Sequence, residues 1–155
     1  MSQASHYPTT ADRSIAAPAV GVTTTPAYQA FATLYSWYII LPIVAGADKF
    51  FHVLCNWDLY LAPRVTEILD RTVHLSGHTF MLIVGVIEII AGVLVAFMPR
   101  VGAIVVGLWL IGIIVNLMLH PGFYDVAIRD FGLALGAFAL AMLSRQFSRG
   151  PLATR

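Results

Sequence analysis

Glu88 lies in the middle of residues 79–98, an apolar run long enough to cross a bilayer that holds no other charge. A carboxylate near the membrane midplane costs roughly 2.5–3.5 kcal/mol on insertion scales, so it normally faces the protein interior with a partner or a task. At about 100° per residue, His74, His78, Met81, Gly85, Glu88 and Gly92 share one helical face. The glycines on that face let another helix approach, which turns it toward a bundle interior. The same spacing groups Gly102, Trp109, Gly112, Asn116 and His120 on the next helix. Asn116 is an amide in an apolar span and a candidate hydrogen-bond partner for Glu88. Counting from the Pro99-Arg100 turn, however, offsets the two by about 7 Å in depth at about 1.5 Å per residue. The Trp109 N–H lies nearer in depth. Glu88 is therefore either a hydrogen-bonded packing residue or a group that moves protons or binds a ligand.

Four of the five histidines, His52, His74, His78 and His120, collect at one predicted membrane boundary. His74 and His78, spaced i,i+4, offer two metal ligands from one helical turn, and His120 a third from the next helix. A haem would more naturally take histidines from two helices on opposite faces of the macrocycle. No metal is favoured over hydrogen-bonded interfacial histidines, but quinone contact, a proton relay and haem stay open. Asp48-Lys49 and Arg129-Asp130 fall at the same boundary. Opposite charges on separate helices can pair where each alone is expensive, so the expectation is a crosswise set, Asp48 with Arg129 and Lys49 with Asp130. The sharper alternative has Lys49 and Arg129 hold an anionic headgroup, a quinone carbonyl or an anionic substrate. Gly132 and Gly136 form a small-xxx-small face for close packing.

The elements that must position these groups follow from composition. Hydrophobic residues make up 59% of the 155-residue chain and charged residues 11%, with a mean hydropathy of +0.81. Soluble domains carry about 25% charged residues, so this is a membrane composition. Apolar blocks at residues 31–47, 77–98, 101–119 and 126–143 each approach the ~20 residues that span hydrocarbon as a helix. The expected fold is all-α: a four-helix transmembrane bundle over residues 31–145. Residues 1–30 are expected to be a tail, disordered or draped on a partner, and residues 146–155 a short C-terminal tail. Between the first two spans, Val65, Ile68 and Leu69 share a face of an interfacial amphipathic helix. Trp57 and Tyr60, and at the opposite boundary Tyr35, Trp37 and Tyr38, are expected at headgroup depth.

Four spans put both termini on one side with Arg100. Discounting Lys49 and Arg129, which sit beside acidic neighbours at helix ends, the Lys/Arg balance favours cytoplasmic termini. One cysteine, Cys55, excludes an intrachain disulfide and an all-cysteine metal site. A net charge of +1 spread over loops gives no basic stripe for nucleic acid. No phosphate loop, nucleophile elbow or metalloprotease motif is present. No inverted repeat of broken helices marks a self-sufficient transporter.

Three short segments resemble the DoxX-like membrane proteins: Gly46-Ala47-Asp48-Lys49-Phe50, Val84-Gly85-Val86-Ile87-Glu88-Ile89-Ile90-Ala91-Gly92 and Tyr124-Asp125-Val126-Ala127-Ile128-Arg129-Asp130. The resemblance covers about residues 33–145. It implies a four-helix transmembrane fold and association with bacterial membrane redox systems, including thiosulfate:quinone oxidoreductase-type complexes. It supplies no catalytic set, and fold alone does not fix function.

The leading expectation is a non-catalytic accessory subunit of a respiratory or other electron-transfer complex in the bacterial inner membrane. Its partners would be other membrane subunits and lipids, and it would border a quinone or lipid site. Lys49, His74, His78, Glu88, Asn116, His120 and Arg129 are the candidate ligand contacts. A quinone-reactive oxidoreductase subunit and a small transporter or lipid-binding protein are the competing expectations.

Overall fold

The computed structural model describes residues 25–147. Five α-helices and one short 3-10 helix make up this part of the chain, with no strand among the described residues: α1 (Pro26–Phe51), the 3-10 helix (Trp57–Tyr60), α2 (Pro63–Val73), α3 (Gly77–Phe97), α4 (Pro99–Met118) and α5 (Tyr124–Phe147). All but α2 and the 3-10 helix are long and apolar enough to cross a membrane. The protein is a multi-pass membrane protein built as a four-helix bundle. α4 packs along α5 and α1 along α3, and the α3–α4 and α1–α5 contacts close the ring.

Local chemistry sets the helix ends. α1 begins five residues before its hydropathic block because Thr25 caps it, accepting from Tyr28 N at 3.3 Å, and Pro26 occupies the first turn. Residues 26–30, expected in the tail, are therefore helical; the rest of the N-terminal expectation, residues 1–24, and residues 148–155 lie outside the described residues. α1 continues through buried Pro42 and stops where His52 turns left-handed at φ 53°. The amphipathic helix forms as α2 and ends at His74, also left-handed at φ 51°. Ser76 then caps α3, accepting from Thr79 N at 3.2 Å. Only Met98 separates α3 from α4, and Pro99 opens the latter.

The core is small-residue rich: Ala91, Val95, Ala103, Val106, Ala134, Ala137, Leu140 and Ala141 surround Tyr38. Of the three α1 aromatics expected at headgroup depth, Tyr38 is instead fully buried, its hydroxyl donating to the Leu133 carbonyl. Tyr35 is half-buried and donates to the Ala96 carbonyl at 2.7 Å, while Trp37 faces outward. Gly136 accommodates the Tyr38 hydroxyl, whereas Gly132 faces open space, so only one member of that glycine pair serves packing. Ile90, Leu108, Ile128 and Met142 are more than half exposed along the spans. Such side chains suit a lipid solvent. Tyr28 and Phe31 meet Phe147 at 5.6 and 5.4 Å between ring centroids, clasping the start of α1 to the end of α5.

Candidate functional site

α1 and α3 cross backbone to backbone at two glycines. A Cβ on Gly46 would stand 2.5 Å from the Gly85 carbonyl oxygen, and one on Gly85 would stand 2.6 Å from the Gly46 oxygen. No L side chain fits either position without separating the helices. Three residues on from each glycine come Lys49 and Glu88. Because the helices are antiparallel, these two diverge in depth, and the lysine stem closes the gap. Helical side chains lean toward the helix N-terminus, and Lys49 does so, placing Nζ 3.5 Å from the Ala45 carbonyl and 2.5 Å from Glu88 Oε2. The Lys49 and Glu88 side chains are 4% and 10% exposed. A buried pair of this kind is held by geometry, since desolvation offsets most of its Coulomb attraction.

The crosswise pairing expected from sequence does not form. Asp48 faces the connection after α1, where its carboxylate accepts from Val53 N at 2.9 Å, Leu54 N at 3.0 Å and Trp57 Nε1 at 2.7 Å. It thereby caps the turn that leaves the helix. Arg129 bonds Asp125 one turn earlier on its own helix, at 3.4 Å and largely in solvent. Asp130 makes no ion pair among the described residues, though it lies within electrostatic reach of Glu88 and Lys49. The physical reason is the α1–α3 crossing, which delivers Glu88 to Lys49 before α5 can supply a partner.

Trp57, expected as a headgroup anchor, is a lid. Its indole N–H is tied to Asp48, and its ring covers the ammonium of Lys49, 3.9 Å from the centroid. Asn116 is not the partner of Glu88. It bridges the loop above, accepting from Ala62 N at 3.0 Å and donating to Tyr60 O at 2.7 Å, and so pins the entry to α2 against α4. The Trp109 indole N–H is buried and has no acceptor among the described residues.

These groups border one cavity of about 510 Å³ between the helices and under the loop. Leu41, Val84, Ala91, Leu110, Ile113 and Leu133 contribute apolar wall; Lys49, Glu88, Trp57, Trp109, Asn116, Arg129 and Asp130 contribute its polar part. On this wall Lys49 is paired with Glu88, Arg129 turns to Asp125 at the edge, and Asp130 has no ion-pair partner among the described residues. The shared α3 face holds for Met81, Gly85, Glu88 and Gly92, which are all buried.

The histidines divide differently from expectation. His74 belongs to the end of α2, not to α3, so it forms no i,i+4 turn with His78. His120 lies beyond α4, with its ring 4.5 Å from that of Phe123 and its Nδ1 3.2 Å from the Pro121 carbonyl oxygen. Neither joins His78 in a cluster. His78 instead meets Asp58, Nδ1 to Oδ2 at 2.9 Å, and stacks on His52 with ring centroids 5.7 Å apart. Asp58 is the residue that the sequence did not single out; it sits with Trp57 in the short 3-10 helix of the connection that His52 opens, where hydropathic periodicity says nothing about who meets whom. No protein-family model matches the chain, and no curated protein or solved structure is significantly similar to it.

Proposed function

We propose that the chain is a DoxX-like accessory subunit of a bacterial membrane-bound electron-transfer complex, and that its interhelical cavity holds a neutral lipophilic ligand of the quinone or lipid class. One observation carries the reading: a cavity of about 510 Å³, mostly apolar, walled by a buried Lys49–Glu88 pair. That volume falls within the roughly 300–1,000 Å³ typical of small-molecule sites. The predominantly apolar wall favours an uncharged cargo, and the ion pair and the indole N–H of Trp109 are polar features of a kind that can orient a carbonyl-bearing head. The segments that resemble the DoxX-like proteins support the same site. Two of them form the Gly46–Gly85 crossing and its ion pair, and the third brings Arg129 and Asp130 to the cavity. The reading includes residence in the inner membrane with cytoplasmic termini, following the Lys/Arg balance.

A quinone-reactive subunit is the second reading, favoured by the presence of three proton-exchanging side chains, Lys49, Glu88 and Asp130, on one cavity wall. The test is purification from native membranes in mild detergent, with subunit identification and solvent extraction of the bound lipophile. Co-purifying redox subunits and a stoichiometric quinone or lipid, lost in a cavity-filling Ala91→Trp variant, are the expected result. A lone protein whose extract is unchanged by Ala91→Trp would overturn the proposal. Quinone turnover in the parent that stops on Glu88→Gln in protein that stays folded and keeps its bound quinone would move the assignment to the second reading.

A further inference from the structure

At the membrane boundary, on the loop side of the ion pair, three segments bring metal-ligating side chains together. His52 comes from the left-handed residue that ends α1, Asp58 from the 3-10 helix and His78 from the first turn of α3. One ligand atom from each lies within 4.8 Å of the other two. We propose that His52, Asp58 and His78 form a binding site for a divalent transition ion of the zinc type, in addition to the cavity described above.

Several independent features support this. The two imidazoles stack with an interplanar angle of 20°, with a nitrogen of each within 4.8 Å of the other. Asp58 Oδ2 and His78 Nδ1 stand 2.9 Å apart, close to the spacing of two donors on one ion, which would replace the proton they share. The other carboxylate oxygen, Asp58 Oδ1, is buried without a hydrogen-bond partner among the described residues. A buried carboxylate oxygen lacking a donor is uncommon and calls for a cation or a water. His52 occupies a left-handed cap, where glycine or asparagine is the ordinary choice. Left-handed geometry alone carries no weight, since His74 shares it and belongs to no such cluster.

The donor set is two imidazoles and a carboxylate, which suits zinc, copper, nickel or cobalt and disfavours magnesium and calcium. Donors of a tetrahedral zinc site stand about 3.3 Å apart for bond lengths of about 2.0–2.1 Å. Closing from 4.8 Å therefore takes side-chain rotations of about 1–1.5 Å. His78 and Asp58, with side chains 54% and 35% exposed, are free enough to make them and open enough to admit an ion. Three protein ligands leave a fourth position for water or for a residue of a partner.

The test uses the full, tag-free chain in detergent or nanodiscs, titrated with Zn²⁺ by calorimetry and with Co²⁺ by visible absorption. One equivalent of Zn²⁺ per chain is expected, with a nitrogen- and oxygen-ligated Co²⁺ spectrum and no response to millimolar Mg²⁺. His52→Ala and His78→Ala should each weaken binding more than tenfold, and Asp58→Asn should also weaken it. The paired variant His74→Ala/His120→Ala should bind as the parent does, which separates this site from the remaining histidines and controls for folding. Absence of a stoichiometric site, or affinity that survives His52→Ala and His78→Ala in folded protein, would overturn the assignment.

Discussion

Removing one member of the Lys49–Glu88 pair should harm the protein far more than removing both. At 2.5 Å, the Coulomb attraction is about 6–7 kcal/mol at an effective dielectric of about 20. Desolvation of two nearly buried groups takes back most of that, so the net value of the intact pair is small. A single replacement, Lys49→Met or Glu88→Gln, forfeits the attraction and leaves an uncompensated charge in the bundle. The expected cost is about 3–5 kcal/mol for each. The double variant Lys49→Met/Glu88→Leu exchanges the pair for apolar volume and should fall within about 1 kcal/mol of the parent. Unfolding in mixed micelles with increasing SDS, followed by far-UV circular dichroism, measures all four proteins. Circular dichroism is preferable to tryptophan emission because Trp57 touches Lys49. Single variants costing less than about 1 kcal/mol, or a double variant as unstable as the sum of the singles, would refute the reasoning.

Gly85→Val should destabilise by about 1–3 kcal/mol or more in the same titration, because its Cβ meets the Gly46 carbonyl 2.6 Å away and must drive α1 from α3. Asn116→Leu removes both bonds to the loop, at Tyr60 O and Ala62 N. The cost should be about 1–3 kcal/mol, and amide exchange at Ala62 should accelerate while the α4–α5 core stays protected. Cys55 has its thiol pKa pushed up by burial and then by the nearby Asp48 carboxylate. Less thiolate is present near neutral pH as a result, so maleimide labelling should be slower in folded than in unfolded protein, with the gap narrowing as pH rises.

The spans were legible because membrane helices are written in hydropathy, a property of consecutive residues. Their exact extent was not. Thr25 and Pro26 extend α1 beyond its apolar block through capping chemistry that a hydropathy window averages away. The α3 face was legible as far as Met81, Gly85, Glu88 and Gly92, but the periodicity was carried one turn too far, into His74, where α2 had already ended. The ion pair was missed for a geometric reason. Position at the boundary points Lys49 toward Asp130 on the neighbouring span, whereas its stem runs back along α1 to reach Glu88. The signal that could have found it is the matched spacing Gly46 to Lys49 and Gly85 to Glu88, which places a cation and an anion the same distance beyond the two residues that allow contact. Nothing comparable in the sequence announces the Trp57 lid or the meeting of His52, Asp58 and His78, because loop geometry decides both.

The unequal lengths of the spans give the molecule a directional tolerance to bilayer thickness. α3 and α4, with 21 and 20 residues, measure about 30–32 Å and match a hydrocarbon layer of about 30 Å. α1 has 26 residues, and the bond from Tyr35 to Ala96 fixes it level with the end of α3. Residues 26–34 therefore project about 13 Å past the Met98 turn, clasped to α5 by the Tyr28–Phe147 and Phe31–Phe147 contacts. That projection is uncharged and aromatic. A thicker membrane can engulf it with little penalty, whereas a thinner one must tilt the closely fitted α3–α4 hairpin. The protein should accordingly partition toward the thicker of two coexisting lipid phases.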